Sequence, residues 1–208
     1  MGSEVQDHIL KMTYAFVERD LVTAQQMIDA DRSINQRRIN IGLDALRLIA
    51  TQSPMAGDMR MIAVILEAVG ELERIHDYVK GIGKISLAIG PEPIPPPLAQ
   101  RLPEMGETAG EMLFQALKAF ANRDEALARR VPAMDDRVDD LFNELYEAII
   151  NIVLADPTRI HRASRLEWAL HNLERAADRT INICEWVVYM ITGVYAEMDM
   201  GEYEAPPE

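Results

Sequence analysis

The chain holds a single cysteine, Cys184, among 208 residues, so it has no intrachain disulfide. Histidine is almost as scarce, with four residues (His8, His76, His161 and His171) and none beside an obvious nucleophile. Few imidazoles and one thiol argue against a zinc site built from nitrogen and sulfur. No Walker loop, dinucleotide-binding glycine loop, zinc-protease motif or nucleophile elbow is present, which leaves no recognisable catalytic arrangement. Basic residues are outnumbered, 21 against 34 acids, and the net charge of −13 makes nucleic acid and anionic lipid poor partners. There is no apolar run of about 18 residues to span a bilayer. The N-terminus lacks the basic and apolar regions of a signal peptide. A cytoplasmic location is therefore expected.

What is abundant points to helix. Aromatics make up 6% of the chain, whereas alanine, leucine, methionine, glutamate and arginine are plentiful. Apolar residues recur with helical spacing throughout. In the stretch Leu166–Gly193, residues Leu166, Leu170, Leu173, Ala177, Cys184, Val188 and Ile191 fall in a stripe about 60° wide. Cys184 is expected to be buried there as a small hydrophobe. An acidic stripe of Glu167, Glu174, Asp178 and Glu185 runs beside it.

Punctuation divides the rest. A short helix over residues 1–18 carries Val5, Ile9, Met12 and Phe16 on one side, and Asp20 is placed to cap a second helix running to about Thr51. Ser53-Pro54 ends that helix, and Ser53 or Asp58 is expected to cap a third running to about Ile89. Five prolines within residues 91–97 then form the strongest boundary, expected to be a stiff extended crossing. A fourth helix is expected over about Leu98–Asn122, a fifth over about Asp124–Leu154 and a sixth from Thr158 onward. The acidic tail after residue 195 is expected to fray.

The two sides of the proline stretch share their punctuation. Glu18-Arg19-Asp20 is matched by Asn122-Arg123-Asp124, Ser53-Pro54 by Asp156-Pro157, and Leu72-Glu73-Arg74 by Leu173-Glu174-Arg175. Two tandem three-helix bundles related by internal duplication are therefore expected, over residues 1–90 and 98–195, with 91–97 as linker and 196–208 as tail. Each carries paired oxygen ligands one helical turn apart. The first set is Asp31, Asn35, Glu73 and Asp77; the second is Asp135, Asp139, Glu174 and Asp178.

Carboxylates stacked beside an apolar seam repel unless protons or a hard cation neutralise them. Spacing alone also suits solvated helix faces, and the repetition favours the cation. Glu73-x-x-His76 matches half of a dimetal-carboxylate motif, so an oxidase or metal-storage bundle is the alternative reading. A second copy of that motif is missing.

The motif Leu173-Glu174-Arg175-Ala176-Ala177-Asp178-Arg179-Thr180-Ile181-Asn182-Ile183-Cys184-Glu185-Trp186, with Pro54-Met55-Ala56-Gly57-Asp58-Met59-Arg60 and Glu71-Leu72-Glu73-Arg74-Ile75-His76-Asp77, resembles the PhoU family of phosphate-uptake regulators. The resemblance implies two side-by-side three-helix bundles whose acidic motifs carry multinuclear clusters of iron or zinc, at the eight residues named above. It implies a negative regulator of the phosphate-starvation response rather than an enzyme. Such a protein links the ATPase subunit of a phosphate transporter to a sensor histidine kinase and is peripheral to the membrane. A homodimer is expected if the shortened first helix leaves its bundle uncovered. Two features depart from the pattern. His76 and Ala177 stand where the family usually has glycine, and the first helix starts one to two dozen residues late, as a truncated or alternative start would make it.

Overall fold

The computed structural model describes residues 1–198 and contains no β-strand among them. Its helices are α1 (Gly2–Glu18), α2 (Leu21–Gln52), α3 (Gly57–Ala88), α4 (Pro96–Asn122), α5 (Glu125–Arg130), α6 (Asp135–Ala155) and α7 (Ile160–Thr192). The expected α1 stripe of Val5, Ile9, Met12 and Phe16 is buried, and so is Cys184. The repeated Arg-Asp pair has a definite local role. Arg19 (φ 61°) and Arg123 (φ 53°) end the preceding helices in the left-handed conformation. Asp20 then accepts hydrogen bonds from the Val22 and Thr23 amides, and Asp124 accepts one from Leu127.

Three boundaries differ from expectation. Neither Ser53 nor Asp58 caps α3; Ser53 is the left-handed end of α2 (φ 47°), and Ala56 precedes α3 without a side-chain cap. The expected fifth helix is broken in two by a 3₁₀ turn at Pro132–Met134. Pro132 has no amide hydrogen and its ring crowds the preceding turn, which disfavours a continuous helix there, although α4 runs on through Pro103. The tail expected to fray beyond residue 195 instead folds back onto α7 as far as it is described. There the Met198 amide donates to Glu185 Oε1 at 2.7 Å and the Tyr195 hydroxyl to Oε2 at 3.1 Å. Residues 199–208 lie outside the described part.

Helices α1, α2 and α3 pack on one another, as do α4, α6 and α7, with α5 laid against α4 and α7. The two bundles meet along two seams, α3 on α7 and α1 on α4. Glu71 faces Asn182, Tyr78 lies under the Arg175 guanidinium, and Gly81 faces Asn172, so α3 and α7 run antiparallel. At the other seam, a Cβ on Gly106 would lie 2.5 Å from Thr13 Oγ1, and one on Gly110 would lie 3.1 Å from Leu10. Glycine there lets α1 and α4 approach closely.

The proline-rich linker is pinned where it leaves α3. Arg19 donates to the Gly90 carbonyl at 2.6 Å. Arg162 donates to the carbonyls of Ile89, Glu92 and Pro93, and Arg165 to that of Ala88. These arginines satisfy carbonyls at the exposed C-terminal end of α3, where positive charge is also favoured by the helix dipole. Ile94 is buried beneath the linker.

Gly106→Ala is expected to cost about 1–3 kcal/mol of stability by forcing α1 away from α4. Urea unfolding would measure the loss, and adding Thr13→Ala should recover part of it.

Candidate metal centre

The break at Pro132 positions the second acidic set. It makes Asp135 the first residue of α6 and puts Asp139 one turn on. Glu174 and Asp178 face them from the middle of α7. The Asp135 side chain is 1% exposed, and neither of its carboxylate oxygens makes a hydrogen bond. Glu174 Oε2 is also buried without a hydrogen bond, although His171 Nδ1 lies 3.3 Å from it. Burial, reinforced by the charges of Asp139, Asp178 and Glu174, pushes the Asp135 carboxyl up to about 7. Burial, with Asp178 and Asp139, does the same to Glu174, again to about 7. Asp139 is raised by burial and by Asp178. Asp178 is raised by burial against the opposing pull of Arg179 and Arg175.

The structure therefore brings all four predicted residues of this set into one electrostatic unit. Orphaned carboxylate oxygens in an apolar bundle have two ways to be satisfied, protons or a cation. An all-oxygen donor set suits a hard or borderline cation. As placed, no three His, Cys, Asp or Glu side chains among the described residues already converge on one metal position. The carboxylates are gathered but not closed.

The first set is arranged differently. Asp31 on α2 and Asp77 on α3 are bridged by Lys80, whose Nζ lies 2.9 Å from Asp31 Oδ1 and 2.5 Å from Asp77 Oδ1. Burial acts against both charges, but the Lys80 hydrogen bond holds Asp31 below the ordinary carboxylate range, and bonds to Asp77 and Asp31 hold Lys80 above its own. Glu73 is raised by burial and by Asp77. Asn35 is half-buried one turn along from Asp31 and makes no side-chain hydrogen bond to the cluster. In this set the residues present do not offer an open cation site, because two of the acids already hold an ammonium.

His76 does not assemble the dimetal-carboxylate motif. It is fully buried, its ring is centred 5.0 Å from that of His8 on α1, and its Nδ1 is 3.8 Å from Asp31. Burial, then His8, lowers it to about 4, so it is neutral at physiological pH. Lys80 and His8 were not among the residues singled out in the sequence. Neither belongs to an acid pair, although Lys80 follows Asp77 at the helical spacing that permits an ion pair.

The model of the PhoU domain matches residues 1–86 and again 102–187. This chain belongs to the PhoU family. Among curated relatives, the phosphate-specific transport system accessory protein PhoU homolog of Pseudomonas putida is 32% identical over 193 residues, covering 93% of this chain and 75% of the relative. That of Streptococcus pneumoniae strain TIGR4 is 30% identical over 199 residues, 96% of this chain and 92% of the relative. The crystal structure of PhoU from Pseudomonas aeruginosa superposes with a TM-score of 0.86 at 31% identity, covering 93% of each chain. That of the phosphate transport system regulatory protein PhoU from S. pneumoniae gives 0.85 at 29% identity, with 94% of this chain and 91% of the other covered. The expected all-α duplicated fold is thus shown. His76 and Ala177 are both buried: His76 lies beside His8, and Ala177 packs in the core.

A sign follows for pH. Carboxyls raised in the folded state bind more protons there than in the unfolded chain, so the stability these groups contribute to the metal-free protein is fully present below the ordinary carboxylate pKa and is lost as pH rises through about 7. Thermal melts in chelator should therefore show a lower Tm at pH 8 than at pH 5. Asp135→Asn should stabilise the metal-free protein at pH 8 by about 1–3 kcal/mol.

Proposed function

We propose that this chain is a regulatory accessory protein of phosphate uptake, not an enzyme, and that it binds a metal ion through its second acidic set. Family membership supports the accessory role, and curated relatives carry it in their names. The observation that carries the metal reading is the Asp135 carboxylate, fully buried with both oxygens unbonded and three further acids around it. Asp135, Asp139, Glu174 and Asp178 would hold the ion, with iron or zinc as the candidates. Bound metal would neutralise the repulsion between α6 and α7 and set how closely they approach.

In this reading the protein acts in the cytoplasm, in line with the lack of any helix among the described residues long and apolar enough to cross a membrane. It negatively regulates the phosphate-starvation response by bridging the transporter's ATPase subunit and a sensor histidine kinase. A homodimer is part of the same reading. The distal halves of α2 and α3 extend beyond the shorter α1 and leave Leu43, Leu46 and Met59 exposed, with Met55 exposed in the loop that joins them.

Protein purified without chelator is expected to contain metal that Asp135→Ala and Glu174→Ala remove, as elemental analysis would show. Equal metal in all three would sink the metal reading. Affinity capture against the cognate ATPase and kinase, with phosphate-responsive transcription measured in a deletion strain, tests the regulatory role. Unchanged transcription and no capture would refute it.

A further inference from the structure

The internal duplication allows the two acidic sets to be compared residue by residue. The spacing that carries Glu73 onto Glu174 and Asp77 onto Asp178 carries Lys80 onto Ile181. Ile181 is 4% exposed and apolar, so α7 brings no ammonium to its carboxylates from that position. Lys80 does the opposite. Its Nζ contacts Asp31 on one helix and Asp77 on the next, bridging α2 and α3 where a bound cation would bridge them. Asn35 removes a further charge, since its counterpart in the second half is Asp139.

The balance of charge follows. The first set has three carboxylates and an ammonium, the second four carboxylates and no ammonium in contact with them. The second set also has buried oxygens on Asp135 with neither a hydrogen bond nor an ion pair, whereas in the first set Asp31 Oδ1, likewise buried without a hydrogen bond, is ion-paired to Lys80 Nζ at 2.9 Å, and Asp77 Oδ1 accepts a hydrogen bond from the same ammonium. A divalent cation entering the first set must detach an ammonium from two of its oxygen donors and remain close to that positive charge.

We propose that Lys80 is a built-in counterion that takes the place of a metal ion in the first bundle, so that metal loading in this chain is confined to the second. This rests on the reading of the second set as a metal site for its contrast, but the claim about Lys80 is tested independently of it. The divergence is between halves of one chain: one acidic set carries its cation as a side chain, and the other depends on supply from solution.

The experiment uses the full chain with Mn²⁺ as probe, by equilibrium dialysis with elemental analysis, after thermal melts show that each variant is folded. The background is Asp135→Asn with Glu174→Gln, which disables the second set. In that background the protein with Lys80 intact should bind no Mn²⁺ through the first set. Lys80→Met should create a site, raising Mn²⁺ affinity about tenfold or more above the detection limit of the dialysis, and Lys80→Arg, which keeps the charge, should not. Adding Asp31→Asn with Asp77→Asn should abolish the site that Lys80→Met creates.

Two results overturn the proposal. One is Mn²⁺ bound with Lys80 in place and lost with Asp31→Asn and Asp77→Asn. The other is no gain in folded Lys80→Met, with Lys80→Ala as the second variant if the first does not fold. If the otherwise unaltered chain binds no Mn²⁺ but Lys80→Met gains a site, the counterion role stands and the metal reading of the second set fails.

Discussion

Like charges brought together at low dielectric set the terms for this molecule. Two three-helix bundles need continuous apolar stripes, yet each places carboxylates at the margin of the stripe where helices meet. Such groups are tolerated only with neutralising partners, because an unpaired buried carboxylate costs several kcal/mol, on the order of a large fraction of a domain's net stability. The first bundle solves this with Lys80 between Asp31 and Asp77. The second leaves Asp135 and Glu174 to hold protons or a cation, and their raised carboxyls express that choice. The packing of α6 on α7 is therefore conditional on solution chemistry in a way that the packing of α2 on α3 is not.

The long α3–α7 pairing ties these local solutions together. Its antiparallel course puts Glu71 beside Asn182 and Arg179, and Tyr78 beneath Arg175, between the two acidic sets. Glu71 is itself buried, but unlike Asp135 it is met by Arg74, Arg179 and Asn182. A buried acid with donors around it is structural; one with none is open to a ligand. That contrast, rather than the number of acids, separates the candidate site from the rest of a strongly acidic surface.

Much of this was legible in the sequence because it depends on spacing. Apolar periodicity located the helices, and the recurring Arg-Asp, proline breaks and Leu-Glu-Arg triplets revealed two units. Asp135, Asp139, Glu174 and Asp178 emerged as a set because acids one turn apart share a helix face. What escaped depends on partners distant in the chain. Lys80 is an ordinary helical lysine until Asp31 arrives from α2, and His76 is a plausible ligand until His8 on α1 packs against it. The break at Pro132 was only half legible, because Pro103 gives the same local signal inside α4 and leaves that helix unbroken.

Antiparallel pairing of two like halves is the arrangement of a symmetric dimer, here carried on one polypeptide and fixed by arginine clamps on the linker. In a dimer of identical chains every substitution appears twice, so a lysine that silences one acidic cluster silences both. Fusion removes that constraint. With two separately encoded copies, one half is free to place a lysine between its acids, as at Lys80, while the matching position of the other carries an isoleucine, Ile181. The linker is thus more than a connector: it is what permits two faces related by an internal repeat to take unequal duties.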